Sequence, residues 1–160
     1  MAKVHVFFLC FLIVNALVVS AWSNLLQFGL VRIDFLIPSL CWYAVTVSDL
    51  WGGIIVLFLG LFFDLMSGVA VGTYLFLIPG VYFFVRYIAS NTRTELWWQR
   101  ALLVILASFV FQATIRTFTG YIETVWPWGA IQAILDGLLS IILFPMFSSV
   151  LPLLESEKNE

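Results

Sequence analysis

From Val4 to Trp22 the chain carries no Asp, Glu, Lys or Arg. As a helix, that stretch is long enough to cross a hydrocarbon layer about 30 Å thick, which takes roughly 20 residues at 1.5 Å each. Comparable apolar runs recur almost to the end of the chain, parted by short polar breaks. Lipid offers no water to bond backbone amides and carbonyls, so such runs fold as helices whose hydrogen bonds close internally.

Composition agrees with this reading. Of 160 residues, 63% are hydrophobic and 10% charged. A soluble domain is about half apolar and about a quarter charged. So few charges cannot cover a water-facing surface, and membrane lipid is the expected solvent. A net charge of −2 gives no footprint for nucleic acid. Aromatic residues reach 18%, and many Trp stand at segment ends, as in an interfacial belt. Lys3, the apolar run and Val19-Ser20-Ala21 have the layout of a signal peptide. Because further spans follow, a retained first helix is the better reading.

The breaks define an all-α bundle of about six transmembrane helices, expected at 4–22, 35–48, 50–66, 72–90, 101–119 and 129–152. The first break, Ser23 to Asp34, reads as an interfacial segment; Asp49 makes the second, and Ser67-Gly68 with Gly72 a tight turn. The stretch Asn91 to Arg100 reads as a loop and Gly120 to Trp128 as interfacial. Pro38 falls near a first helical turn, where a missing N–H is harmless, and Pro145 is expected to kink the last helix. One transmembrane domain, 1–154, is followed by a short charged tail, 155–160. Six spans put both termini on one side. With that side cytoplasmic, Lys3, Arg86, Arg93, Arg100 and Lys158 lie inside, against Arg32 and Arg116 outside, as the positive-inside rule requires.

Charge inside a span costs about 2.5–3.5 kcal/mol on insertion scales, so each instance needs a reason. Three expected helices repeat polar or small residues every four positions. These are Gly60, Asp64 and Gly68; Ser108, Gln112 and Arg116; and Gln132, Asp136 and Ser140. Steps of four drift only about 40° around a helix, so each set forms a stripe. Asp64 and Arg116 are expected at similar depth, with Asp136 level with Gln112. An outward-leaning polar cluster of Asp64, Gln112, Arg116, Gln132 and Asp136 is the expectation. Three readings of it remain open: interhelical hydrogen-bonding glue, a solvated pocket, or interfacial side chains that snorkel to water.

Other features are plainer. Ala16 and Ser20 form a small-residue pair suited to a partner helix. Gly68 to Gly72 has the small-xxx-small spacing, which serves a helix contact or a positive-φ turn equally well. Cys10 and Cys41 sit within apolar runs and make neither a metal pattern nor a disulfide framework. His5, the single histidine, reads as interfacial and excludes a histidine cage or triad. There is no phosphate loop, nucleophile elbow or zinc helix. The expectation is a non-enzyme with no cofactor and no metal.

One motif is more specific. Gly60-Leu61-Phe62-Phe63-Asp64-Leu65-Met66-Ser67-Gly68-Val69-Ala70-Val71-Gly72 reads as Gly-x-x-x-Asp-Leu-x-Ser-Gly-x-x-x-Gly at the end of a span. It resembles the signature of the MreD family, bacterial rod shape-determining membrane proteins. The chain length, the basic loop after the fourth helix, and Asp136-Gly137 before Phe144-Pro145 also resemble that family. It departs at the second helix, where the family places Pro directly before an acidic or polar residue; here Asp34 precedes Pro38 by four positions. The resemblance implies a multi-pass protein of the bacterial cytoplasmic membrane, acting as a scaffold in cell-wall elongation. It implies association with MreC, a bitopic protein, and through it with MreB filaments, RodA and its transpeptidase partner. It also implies a fold similar to the substrate-binding subunits of energy-coupling-factor transporters. Two other classes stay open: a small-molecule-binding transporter subunit, and a membrane enzyme using Asp64 or Asp136.

Overall fold

The computed structural model describes residues 2–21, 27–28, 31–32, 35–47, 50–67, 72–92, 96–118, 120 and 125–156. Six α-helices carry the fold: α1 (Ala2–Ala21), α2 (Leu36–Thr46), α3 (Leu50–Ser67), α4 (Thr73–Asn91), α5 (Trp97–Phe118) and α6 (Ala130–Ser156). Between α1 and α2, β1 (Gln27–Phe28) pairs antiparallel with β2 (Val31–Arg32). A π-helical turn, Val125–Gly129, leads into α6. The expected break at Asp49, the residues Gly68 to Val71 of the motif and the tail from 157 lie outside the described residues.

Three helical stretches are long and apolar enough to cross a membrane: Thr73–Asn91, Trp97–Phe118 and Pro127–Val150. The described apolar parts of α1 and α3 are somewhat shorter, at Lys3–Leu17 and Trp51–Met66. These helices are apolar around most of their circumference, as a membrane requires. One face of α1 buries Val4, Phe8 and Leu12, while Val6, Val14 and Leu17 point outward. Elsewhere Phe76 is 80% and Leu65 78% exposed. In water such a surface would aggregate, whereas in lipid it is solvated.

Helix α2 differs from the others. Its 11 residues span only about 17 Å, roughly half of a bilayer core. Every residue from Leu36 to Ala44 is buried, so protein and not lipid surrounds it. The expected span 35–48 is therefore shorter than read, and the backbone is extended at Val47. Pro38 sits in the first turn, where no intrahelical acceptor waits for its missing N–H. Ser39 returns its hydroxyl to the Phe35 and Leu36 carbonyls, so this polar side chain is satisfied within its own helix.

Aromatic contacts gather the bundle around α2. Phe8 of α1 stacks on Tyr43 with centroids 3.9 Å apart and planes nearly parallel. Phe147 of α6 takes Phe11 at 4.9 Å and Trp42 at 4.8 Å. The most extensive helix pairings are α5 with α6 and α3 with α4. Helix α5 begins at Trp97, four residues before the expected start, so part of the polar stretch to Arg100 is helical. Leu96 accepts the Gln99 and Arg100 amides of that polar first turn. Helix α6 runs on through Pro145 to Ser156, past the expected end at 152.

Candidate functional site

Among the described residues two carboxylates are buried, Asp64 at 4% and Asp136 at 1% exposure. Asp64 lies in the last turn of α3 and faces the start of α4. That start has four amides with no intrahelical acceptor. Its N-cap residue is Gly72, which has no side chain to supply one and takes φ +100. Asp64 supplies it from the preceding helix. Oδ1 accepts the Tyr74 N–H at 2.7 Å, and Oδ2 accepts those of Gly72 and Leu75 at 3.0 Å each. A negative charge there is favoured by the helix dipole as well as by the three donors.

Gly60 lies one turn before Asp64 on the same face. A Cβ at position 60 would meet the Tyr74 carbonyl oxygen at 2.8 Å and the Leu75 Cα at 2.9 Å. Both are backbone atoms, so a side chain there would push α4 away from α3 and from Asp64. Gly60, Asp64 and Gly72 thus form one device: close approach, carboxylate cap and left-handed turn. The side chain of Ser67, and Gly68, lie outside the described residues.

Asp136 sits where α5 and α6 meet. Oδ1 accepts from Gln132 Nε2 at 2.9 Å, and Oδ2 accepts from the hydroxyl of Ser108, itself fully buried. Gly137 permits the approach: a Cβ there would stand 2.3 Å from Ile105 Cγ1. Ser140, one turn further on the stripe, donates instead to the Gly137 carbonyl of its own helix at 2.6 Å. Gln112 and Arg116 continue the α5 stripe and are half-buried. The α5 and α6 stripes are thus joined through Ser108 and Asp136, with Gln132 on the same carboxylate, and Asp64 accepts the amides of α4. Ala16 is half-buried, and the side chain of Ser20 lies outside the described residues.

A second buried polar group was not read from the sequence. His5 is buried at 8% exposure, and its Nδ1 lies 2.6 Å from the Tyr43 hydroxyl. Tyr82 donates to the Val47 carbonyl at 3.3 Å and accepts from Arg86 Nη1 at 3.3 Å. Helix α1 starts at Ala2, which turns His5 onto the face of Phe8, Leu12 and the buried Asn15. The spacing His5, Phe8, Leu12, Asn15 is the signal that locates this inward face. Tyr43→Phe, which keeps the stacked ring and removes the hydroxyl, is expected to cost about 0.6 kcal/mol, the usual size of an interhelical hydrogen bond in a membrane. Denaturation in mixed detergent micelles measures it, and a loss as large as that of Tyr43→Ala would contradict the assignment.

Two surface grooves accompany these groups. One, of about 220 Å³, runs between α4 and α5 along Phe76, Gly80, Phe84 and Val110. The other, of about 330 Å³, lies between α5 and α6. Asp64, Gln112, Arg116, Gln132 and Asp136 line neither of them. Comparisons with protein-family models, with curated proteins and with solved structures give no match.

Proposed function

We propose that the chain is a non-catalytic multi-pass scaffold of the bacterial cytoplasmic membrane, acting in cell-wall elongation as an MreD-like protein. The observation that carries this reading is the unity of the motif. The residues that resemble the family signature, Gly60, Asp64 and Gly72, build one helix corner. Asp64 accepts backbone amides there, which is a structural use of a carboxylate. Asp136 likewise joins two helices through Ser108, with Gln132 of its own helix on the other oxygen.

Six crossings with both termini cytoplasmic are part of the proposal. Contacts between helix ends support that arrangement. His5 near the start of α1 meets Tyr43 near the end of α2, and Tyr43 lies beside Tyr82 at the middle of α4. Phe7 and Phe11 of α1 meet Phe147 in the latter half of α6. Lys3, Arg86 and Arg100 then fall toward the same end of the bundle, and α2 counts as a short crossing.

The scaffold acts through intramembrane contacts, since so little of the chain lies outside the spans. An MreC-like bitopic partner would place its single helix on an outward apolar face, as on α1 along Val6, Val14 and Leu17. A photo-crosslinking residue at Val14 is expected to capture a single-span protein with a periplasmic domain. Purification in mild detergent is expected to retain that protein, and with it the elongation enzymes. Crosslinks confined to soluble loops, or a normal rod shape in cells lacking the chain, would count against the reading. A transporter subunit would instead carry a retained small molecule, which mass spectrometry of the purified chain detects.

A further inference from the structure

The groove between α5 and α6 has Arg100 at one end. Trp97, Arg100 and Ser148 line it toward the start of α5, Ile141, Phe144 and Pro145 line its length, and Ser140, whose hydroxyl donates to the Gly137 carbonyl, lines its deep end. Trp97, Ile141, Pro145 and Ser148 are exposed, so the groove opens sideways to lipid, with buried Phe144 as its floor. The vertical position fits a membrane boundary. Trp97 and Arg100 stand in the first turn of α5, and Trp is the residue that settles at headgroup level. Helix α6 has 27 residues, about 40 Å, so its last turns extend past a hydrocarbon core of about 30 Å.

Arg100 supplies the recognition chemistry. Its guanidinium carbon lies 5.8 Å from the centroid of the Phe144 ring, at the groove wall. A guanidinium carries its N–H donors in its own plane, in a fixed fork. A planar fork of that geometry matches a phosphate. We infer that this groove binds an anionic phospholipid, with the phosphate at Arg100 beside Trp97 and Ser148, and an acyl chain along Ile141, Phe144 and Pro145. Charge selects the occupant: a basic residue at an interfacial groove favours a net-negative headgroup over a zwitterionic one. A bound lipid of this kind bridges the two helices that Asp136 and Ser108 join deeper in the membrane.

The full chain, delipidated in dodecyl maltoside, is offered an equimolar mixture of dioleoylphosphatidylglycerol and dioleoylphosphatidylcholine. Native mass spectrometry then reads the lipid retained. The wild type is expected to prefer phosphatidylglycerol. Arg100→Gln is expected to reduce that preference about fivefold, the equivalent of the roughly 1 kcal/mol that a basic residue contributes near an anionic surface. Ile141→Trp fills the groove from an exposed position, keeps Arg100, and is expected to lose the bound lipid itself. It also decides the matter if Arg100→Gln fails to fold. Equal retention of both lipids by the wild type overturns the inference, as it would if a partner helix occupied the groove. Unchanged preference in both variants overturns it too.

Discussion

Asp64→Ala is expected to lower the stability of the protein by about 3 kcal/mol, the scale of hydrogen bonds to a buried charged group. The carboxylate accepts three amides at the start of α4, and no cap residue on α4 replaces it, because Gly72 has no side chain. Truncation leaves those donors without an acceptor at a site of 4% exposure. An ordinary N-cap deletion removes one such bond and costs about 1 kcal/mol. Asp64→Asn keeps one acceptor oxygen but turns its amide N–H groups toward other amides, so it is expected to recover less than half of the loss. Gly60→Val attacks the same corner by another route, since its Cβ would meet the Tyr74 and Leu75 backbone at under 3 Å. The two changes disable one device, so the double variant is expected to lose less than the sum of the single losses. Unfolding midpoints in mixed detergent micelles test all three. A wild-type midpoint for Asp64→Ala would remove the capping role, and strict additivity would separate Gly60 from it.

Asp64 also marks the limit of what the sequence discloses. Four-residue spacing placed it on an inward stripe with Gly60, and it is inward. Its partners were not legible, because backbone amides carry no residue signature. The amides it accepts belong to a turn about ten residues further along the chain. Asp136 was more readable: Ser108 and Gln132 belong to the stripes that pointed to it. Glycine spacing hinted at close approach without telling which face. Gly60 meets backbone, whereas Gly80 has open space around it. Helix α2 is hard to bound from its sequence for a physical reason. A short helix buried on all sides shows no amphipathic period, and only Pro38 and the polar residues around it set its bounds. Nearness to the chain start does not tell which way His5 faces; the helix starts at Ala2 and turns it inward.

Asp136 carries the test that separates a scaffold from a proton-handling site. Asp136→Ala is expected to cost about 2 kcal/mol, since it strands the buried Ser108 hydroxyl and the Gln132 amide, each left without its acceptor. The Ser108 bond is interhelical, and such bonds in membranes average about 0.6 kcal/mol; the Gln132 bond lies within α6, and burial of the two unsatisfied groups raises the loss above that floor. Asp136→Asn keeps a carbonyl oxygen in the same place. It accepts from Ser108 or Gln132 and removes any exchange of a proton. If Asp136 is glue between α5 and α6, the asparagine variant folds nearly as well as the wild type and supports rod growth in a strain lacking the chain. The alanine variant fails in both measurements together. A carboxylate that relays protons gives the opposite pattern, in which Asp136→Asn retains the wild-type midpoint and loses function. Unfolding midpoints and complementation on the same two variants therefore decide between them. Because Ser108 stands on the other helix, Ser108→Ala is expected to be nearly silent in the Asp136→Ala background, where its acceptor is already gone.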